Sequence, residues 1–110
     1  MRRAMIRKVL FAALVACALP VAAGSGDADA GKKKSAPCAA CHGANGVSVG
    51  PDFPNLAGQY EDYLVTVLHH YKNGKRKNPI MTGMAANLSE KDVADLAAFF
   101  ASQKALEVKH

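Results

Sequence analysis

The five residues Cys38-Ala39-Ala40-Cys41-His42 constrain this chain more than any other stretch. Two cysteines separated by two residues, with a histidine directly after the second, have the spacing of a c-type haem attachment site. The chemistry accounts for the spacing. Each thiol adds across one porphyrin vinyl group to form a thioether, so the chain between them is pinned along one edge of the ring. The next residue can then turn its imidazole under the iron. Ala39 and Ala40 keep bulk out of the junction. The same Cys-x-x-Cys serves elsewhere as half a zinc site or as a thioredoxin-like redox pair. Zinc needs two further soft or imidazole ligands at compatible spacing, and no second Cys-x-x-Cys or His-x-x-x-His follows. A redox pair belongs inside a βαβ pattern, which is not visible here. The expected cofactor is one covalent haem c with its iron.

The first residues read as a leader. Arg2, Arg3, Arg7 and Lys8 form a basic start, Val9 to Ala16 is an unbroken apolar run, and Pro20 precedes Val21-Ala22-Ala23-Gly24. A basic region, an apolar region and a small-residue cleavage site make a secretory signal peptide. The apolar run falls short of the ~20 residues that span a bilayer. Residues 1–23 are therefore expected to be the signal and 24–110 a single haem-bearing domain, placed in the periplasm. Leu14-Val15-Ala16-Cys17 also resembles a lipoprotein box. In that reading Cys17 is lipidated and the domain is membrane-tethered; only then is a membrane a partner.

Removing the leader changes the charge argument. The whole chain has 14 bases against 9 acids, but four of the bases and none of the acids lie in 1–23. The remainder, ten against nine, is nearly neutral and gives no reason to expect nucleic-acid binding. Local basic runs at Lys32-Lys33-Lys34 and from Lys72 to Lys77 suit either a solvated face or the steering of an acidic redox partner. Without Cys17 the domain holds only Cys38 and Cys41, so no disulfide framework supports its roughly 87 residues. Aromatic residues make up 6% of the chain and tryptophan is missing. A covalent porphyrin would supply core that the side chains do not.

Helical periodicity dominates the rest of the chain. Gly24 to Gly31 reads as a frayed lead-in. A helix over Ala30 to Cys38 is expected to be brief or irregular because of Pro37. Gly43-Ala44-Asn45-Gly46, Gly50, Pro51 and Pro54 mark a loop. Tyr60, Leu64, Val67, Leu68 and Tyr71 form a stripe that predicts a helix over Tyr60 to Asn73, with Gly74 as its stop. Asn78 to Leu88, holding Pro79 and Gly83, reads as a loop. Ser89-Glu90-Lys91-Asp92 is a capping-box variant opening a second helix to about Lys104, with Val93, Leu96, Ala97 and Phe100 as its core stripe and Phe99 beside it. No segment alternates at period two. The fold class is all-α.

An iron held by His42 has a second position, and what fills it decides the function. Met81, Met84, His69, His70 and water are the candidates. His69 and His70 sit mid-helix, where a histidine is more often a partly exposed surface residue. Met81 and Met84 lie in the Pro/Gly stretch, and packing against porphyrin is their plainer role.

Cys38-Ala-Ala-Cys-His42-Gly, Phe53-Pro-Asn-Leu-Ala-Gly-Gln59, Lys72-Asn-Gly-Lys-Arg76, Asn78-Pro-Ile-Met81, and Asn87-Leu-Ser with Ala94-Asp-Leu-Ala-Ala-Phe-Phe100 together resemble class I cytochromes c. The nearest likeness is to a single domain of the bacterial cytochrome c4/c553 group, across essentially the whole chain after the leader. The resemblance implies the small cytochrome c fold, helices and loops wrapped around one haem. It implies Met81, the methionine followed by x-Gly, as the second iron ligand, with Met84 as the remaining candidate. It also implies that the Pro54 carbonyl accepts a hydrogen bond from Nδ1–H of His42. The metal ligands are then His42 and Met81, and the cofactor-binding residues Cys38, Cys41, His42, Pro54, Leu56 and Met81. Cytochromes c4 carry two such domains; this chain has one Cys-x-x-Cys-His, so it is monohaem unless two chains pair.

With histidine and methionine both bound, the iron keeps no position for oxygen or peroxide, so electron transfer is favoured over catalysis. A soft thioether and an apolar wrapping, for which Leu56, Ile80, Val67, Leu96 and Phe100 are candidates, both raise the potential. The expected role is a periplasmic electron carrier, not an enzyme, running from a quinol-oxidising complex to a terminal oxidase or another reductase. The alternatives are the haem electron-outlet subunit of a larger dehydrogenase and, with an open iron, a haem peroxidase.

Overall fold

Residues 26–104 are described by the computed structural model; the expected leader, Cys17 and His110 lie outside the described residues. Five helices follow one another: α1 (Ala28–Lys34), α2 (Ala36–His42), α3 (Glu61–Asn73), α4 (Pro79–Ala85) and α5 (Glu90–Ser102). No strand occurs among the described residues, and the fold is all-α.

Capping explains why short helices form where periodicity is weak. Asp27 Oδ1 accepts from the backbone N–H groups of Asp29 (2.9 Å) and Ala30 (3.2 Å), satisfying donors that the first turn of α1 leaves free. Asp29 near the start and Lys32, Lys33 and Lys34 near the end match the helix dipole. The lead-in expected up to Gly31 is thus corrected, because α1 begins at Ala28. The irregular helix expected over Ala30 to Cys38 is instead two seven-residue helices with Ser35 between them.

The loop expected from Asn78 to Leu88 is also corrected. Asn78 Oδ1 accepts from Ile80 N–H (3.0 Å) and Met81 N–H (3.1 Å), and Pro79 opens α4 where no backbone donor is needed. The α3 expectation is one residue too long. Tyr60 is its N-cap and is 83% exposed, so the buried stripe starts at Leu64. Gly74, at φ +81°, does end α3. α5 opens with the expected capping box, Ser89 Oγ accepting from Asp92 N–H and an Asp92 oxygen accepting from Ser89 N–H, both at 3.0 Å.

α5 is the central element. Leu96, Ala97, Phe99 and Phe100 bury with Leu64 of α3 in one cluster, and the two phenylalanine rings lie 5.0 Å apart, tilted by 55°. Burying a side chain of the Leu or Phe kind stabilises by about 1.5–3 kcal/mol. α1 crosses α5 at backbone contact. A Cβ on Gly31 would lie 1.9 Å from the Asp95 carbonyl oxygen, so only glycine fits there.

The crossing is also tied by charge. Asp95 is 1% exposed, and its carboxylate accepts from Asp27 N–H (2.8 Å), Lys34 Nζ (2.7 Å) and Lys91 Nζ (2.9 Å). Lys34, then Lys91 and the Asp27 amide, hold this carboxyl well below the usual carboxylate range. Asp92 is lowered to about 2, first by the Ser89 backbone N–H and then by Lys34, whose Nζ lies 2.9 Å away.

Candidate haem site

An apolar cavity of about 640 Å³ opens between α2, α3, α4 and α5, within the size range of cofactor sites. α2 supplies Cys38, Cys41 and His42 to its wall; the loop after α2 supplies Pro54 and Leu56; α4 supplies Met81 and Met84. The structure thus gathers all six residues expected from sequence onto one cavity. Val67, Leu96, Phe100 and Ile80 line it too, although Ile80, 64% exposed, stands at its rim rather than inside a wrapping.

His42 is 6% exposed, and its Nδ1 lies 2.8 Å from the Pro54 carbonyl oxygen. A carbonyl can only accept, so Nδ1 carries a proton, and in the neutral ring Nε2 is the nitrogen with the free lone pair. The edge of the Phe53 ring packs near the imidazole, centroids 6.3 Å apart. The loop bearing Pro54 is fastened at its neck, where the Gly46 carbonyl accepts from Leu56 N–H (2.7 Å) and Ala57 N–H (3.0 Å). Gly43, at φ +79°, turns the chain out of α2; a Cβ there would sit 1.9 Å from the Val47 carbonyl oxygen. That turn sends the chain away immediately after His42.

Cys38 and Cys41 are both free thiols at half-buried positions, and burial pushes the Cys38 thiol up. Two unpaired thiols and an adjacent imidazole on the wall of an apolar, ligand-sized space are a donor set that fits a covalently held porphyrin. His69 and His70 do not line the cavity, and His69 Nε2 lies 3.1 Å from Glu90 Oε2. Met81 is half-buried, whereas Met84 is 41% exposed.

The cytochrome c family model matches residues 28–104, which include the whole of this cavity. The chain belongs to the cytochrome c family. Within it the likeness is to the c4 group: cytochrome c4 of Pseudomonas aeruginosa is 51% identical over 90% of this chain and 50% of its own length. Cytochrome c-554(548) of Halomonas halodenitrificans is 45% identical over 73% of this chain and all of its own. A thiosulfate dehydrogenase electron acceptor of Thiomonas intermedia is 40% identical over 64% of this chain and 33% of its own. Among solved structures, reduced cytochrome c4 from Pseudomonas stutzeri superposes with a TM-score of 0.69 at 49% identity, covering 72% of this chain and 46% of that one. The chain spans about half the length of the cytochromes c4 it matches. Membership in the cytochrome c family makes haem c, with its iron, the cofactor.

Sequence reasoning missed several parts of the cytochrome cavity. Tyr63, Tyr71 and Arg76 line it, although Lys72 to Lys77 reads as a basic run and as part of the family likeness, and Tyr71 as one of a helical stripe, with no place at the cavity assigned to any of them. Gly46 is packed where a Cβ would meet Ala57 N at 2.8 Å and Phe100 Cδ1 at 2.9 Å. The signal for it in the sequence is the spacing Gly43-x-x-Gly46, legible as a turn but not as a contact with α5.

Proposed function

We propose that the protein is a one-electron carrier of the periplasm, in which Cys38 and Cys41 hold the haem and His42 and Met81 are its two iron ligands. The reading rests chiefly on the cavity, which the Cys-x-x-Cys-His segment of α2 and the methionine of α4 both line. When bound, haem c supplies an iron that gains or loses one electron. The protein's own residues set the terms of that exchange. Pro54 fixes the proton of His42 on Nδ1, leaving Nε2 to ligate and making the imidazole a stronger donor. Met81 brings a soft thioether that favours ferrous iron. Leu56, Leu64, Leu96 and Phe100 would surround a bound porphyrin with apolar carbon and so disfavour the more highly charged ferric state.

Carrier activity accords with the cytochromes c4 among its relatives. A quinol-oxidising complex as donor and a terminal oxidase or another reductase as acceptor complete the proposal, with export by residues 1–23. A second reading, an electron outlet for a larger dehydrogenase, draws on the likeness to a thiosulfate dehydrogenase electron acceptor. Copurification of a dehydrogenase partner would favour it. The ferric spectrum tests the carrier: a low-spin signature with a thioether-to-iron charge-transfer band is expected. A high-spin spectrum with ready cyanide or carbon monoxide binding overturns it. Met81→Ala should lower the potential and open the iron, whereas Met84→Ala should do neither; the reverse pattern moves the ligand to Met84.

A further inference from the structure

Lys72 stands in the last turn of α3 with its side chain exposed, and it forms no ion pair with a described carboxylate. Its ammonium is committed elsewhere: Nζ donates to the carbonyl of Leu88, sixteen positions on. That carbonyl lies outside the ladder of α5, which starts one residue later, where the Ser89 carbonyl accepts from Val93 N–H at 3.0 Å. Leu88 is the joint between α4 and α5. Its own N–H donates to the Ala85 carbonyl at 3.1 Å, closing the end of α4. Its side chain packs against the core cluster and shares with Met81 the wall of a small space of about 70 Å³. One turn earlier on the same face of α3, His69 Nε2 meets Glu90 Oε2, two residues past Leu88. Two side chains of α3 thus grip the chain where α4 ends and α5 begins.

We propose that Lys72 is a positioning residue for the second iron ligand: it fastens the α4–α5 joint to α3 and so keeps Met81 against the iron. The proposal rests on the reading of Met81 as that ligand. The physical reason is the shortness of α4. Seven residues do not make a stable helix in water, so α4 keeps its place through its ends and through what it packs on. Asn78 caps the leading end by bonds within its own segment, which shape the helix without attaching it to another. The bond to a different helix comes just beyond the trailing end, and Lys72 makes it. An opening that breaks this bond needs no other helix to move, so α4 is the part of the cavity wall placed to lift first. Lys72 sets how often the thioether leaves the iron.

The test uses the haem-loaded protein and its Lys72→Met and Lys72→Arg variants. Methionine keeps an apolar stem and removes the donor, whereas arginine keeps a charged donor. Cyanide reaches the ferric iron only when the thioether has left, so its binding rate counts openings. Lys72→Met is expected to keep the low-spin spectrum and the thioether-to-iron band, and to bind cyanide about fivefold faster, the scale of one net hydrogen bond. Amide exchange in α4 should quicken by a similar factor, while the global denaturation midpoint and exchange in α1 stay as in the parent. Lys72→Arg should bring cyanide binding back toward the parent rate. An unchanged cyanide rate in Lys72→Met overturns the proposal. So does an acceleration matched by an equal loss of global stability, which would make Lys72 an ordinary contributor to the fold. Failure of the Met81 reading appears separately, as a thioether band that survives Met81→Ala with Lys72 intact.

Discussion

On one flank of α5, Gly31 brings α1 to backbone contact and Asp95 is clasped by two lysines and an amide. On the other flank, Leu96, Ala97 and Phe100 face a cavity of about 640 Å³. The first contact is complete with amino acids alone. The second has thiols, an imidazole, methionines and apolar carbons around a space no side chain fills. A short helix can thus be rigid on one side of its partner and dependent on a cofactor on the other. α1 and α4 show the contrast well. Both are seven-residue helices with side-chain N-caps, too short to be stable alone. α1 is held by α5, whereas α4 borders the cavity.

Four experiments put this contrast between flanks at risk. The strongest response is expected from Cys38→Ser/Cys41→Ser. Acid and organic solvent should then extract all pigment, and amide hydrogen exchange should show α3 and α4 losing protection before α1 and α5. Simultaneous loss in all four would mean that the two flanks are not separate. Next, Gly31→Ala should destabilise by about 1–3 kcal/mol through overpacking, seen in chemical denaturation, with the visible spectrum unchanged.

The third experiment is an acid titration. Asp95 and Asp92 both have folded pKa values below the ordinary carboxylate value, Asp92 at about 2 and Asp95 lower. Their stabilisation is present above roughly pH 4, the unfolded value, and is lost as pH falls through the folded values, because the unfolded chain then binds more protons. Denaturation midpoints should therefore fall from about pH 4 downward, less steeply in Asp95→Asn. The smallest effects belong to the caps. Ser89→Ala and Asn78→Ala should each cost about 1 kcal/mol. The loss in Ser89→Ala should be global, and that in Asn78→Ala confined to α4 exchange and to the reduction potential.

The long helices are legible because their signals are local. Leu64, Val67 and Leu68, and the Ser89-Asp92 box, announce α3 and α5 without knowledge of anything distant. The haem motif is legible for the same reason. α4 reads as loop because Asn78-Pro79 has two meanings, a punctuator or an N-cap followed by a first-turn proline, and composition alone favours the first. α1 is hidden because Asp27 caps it within a run of small residues. Asp95 enters the sequence reading only within the Ala94 to Phe100 likeness, and its burial depends on Lys34 sixty-one positions earlier. Gly31 reads as the end of a frayed lead-in and serves as a crossing point. Arg76 belongs to the cavity only because Gly74 folds the chain back. The two short helices are hidden by the ambiguity of their local caps, whereas Asp95, Gly31 and Arg76 take their places from contacts that no local window contains.

The fastening at Gly46 makes the orientation of the iron-side histidine a property of the main chain. Two amides close that neck on one backbone oxygen, and another backbone oxygen, that of Pro54, takes the imidazole proton. Side chains of the loop can therefore vary without moving that proton.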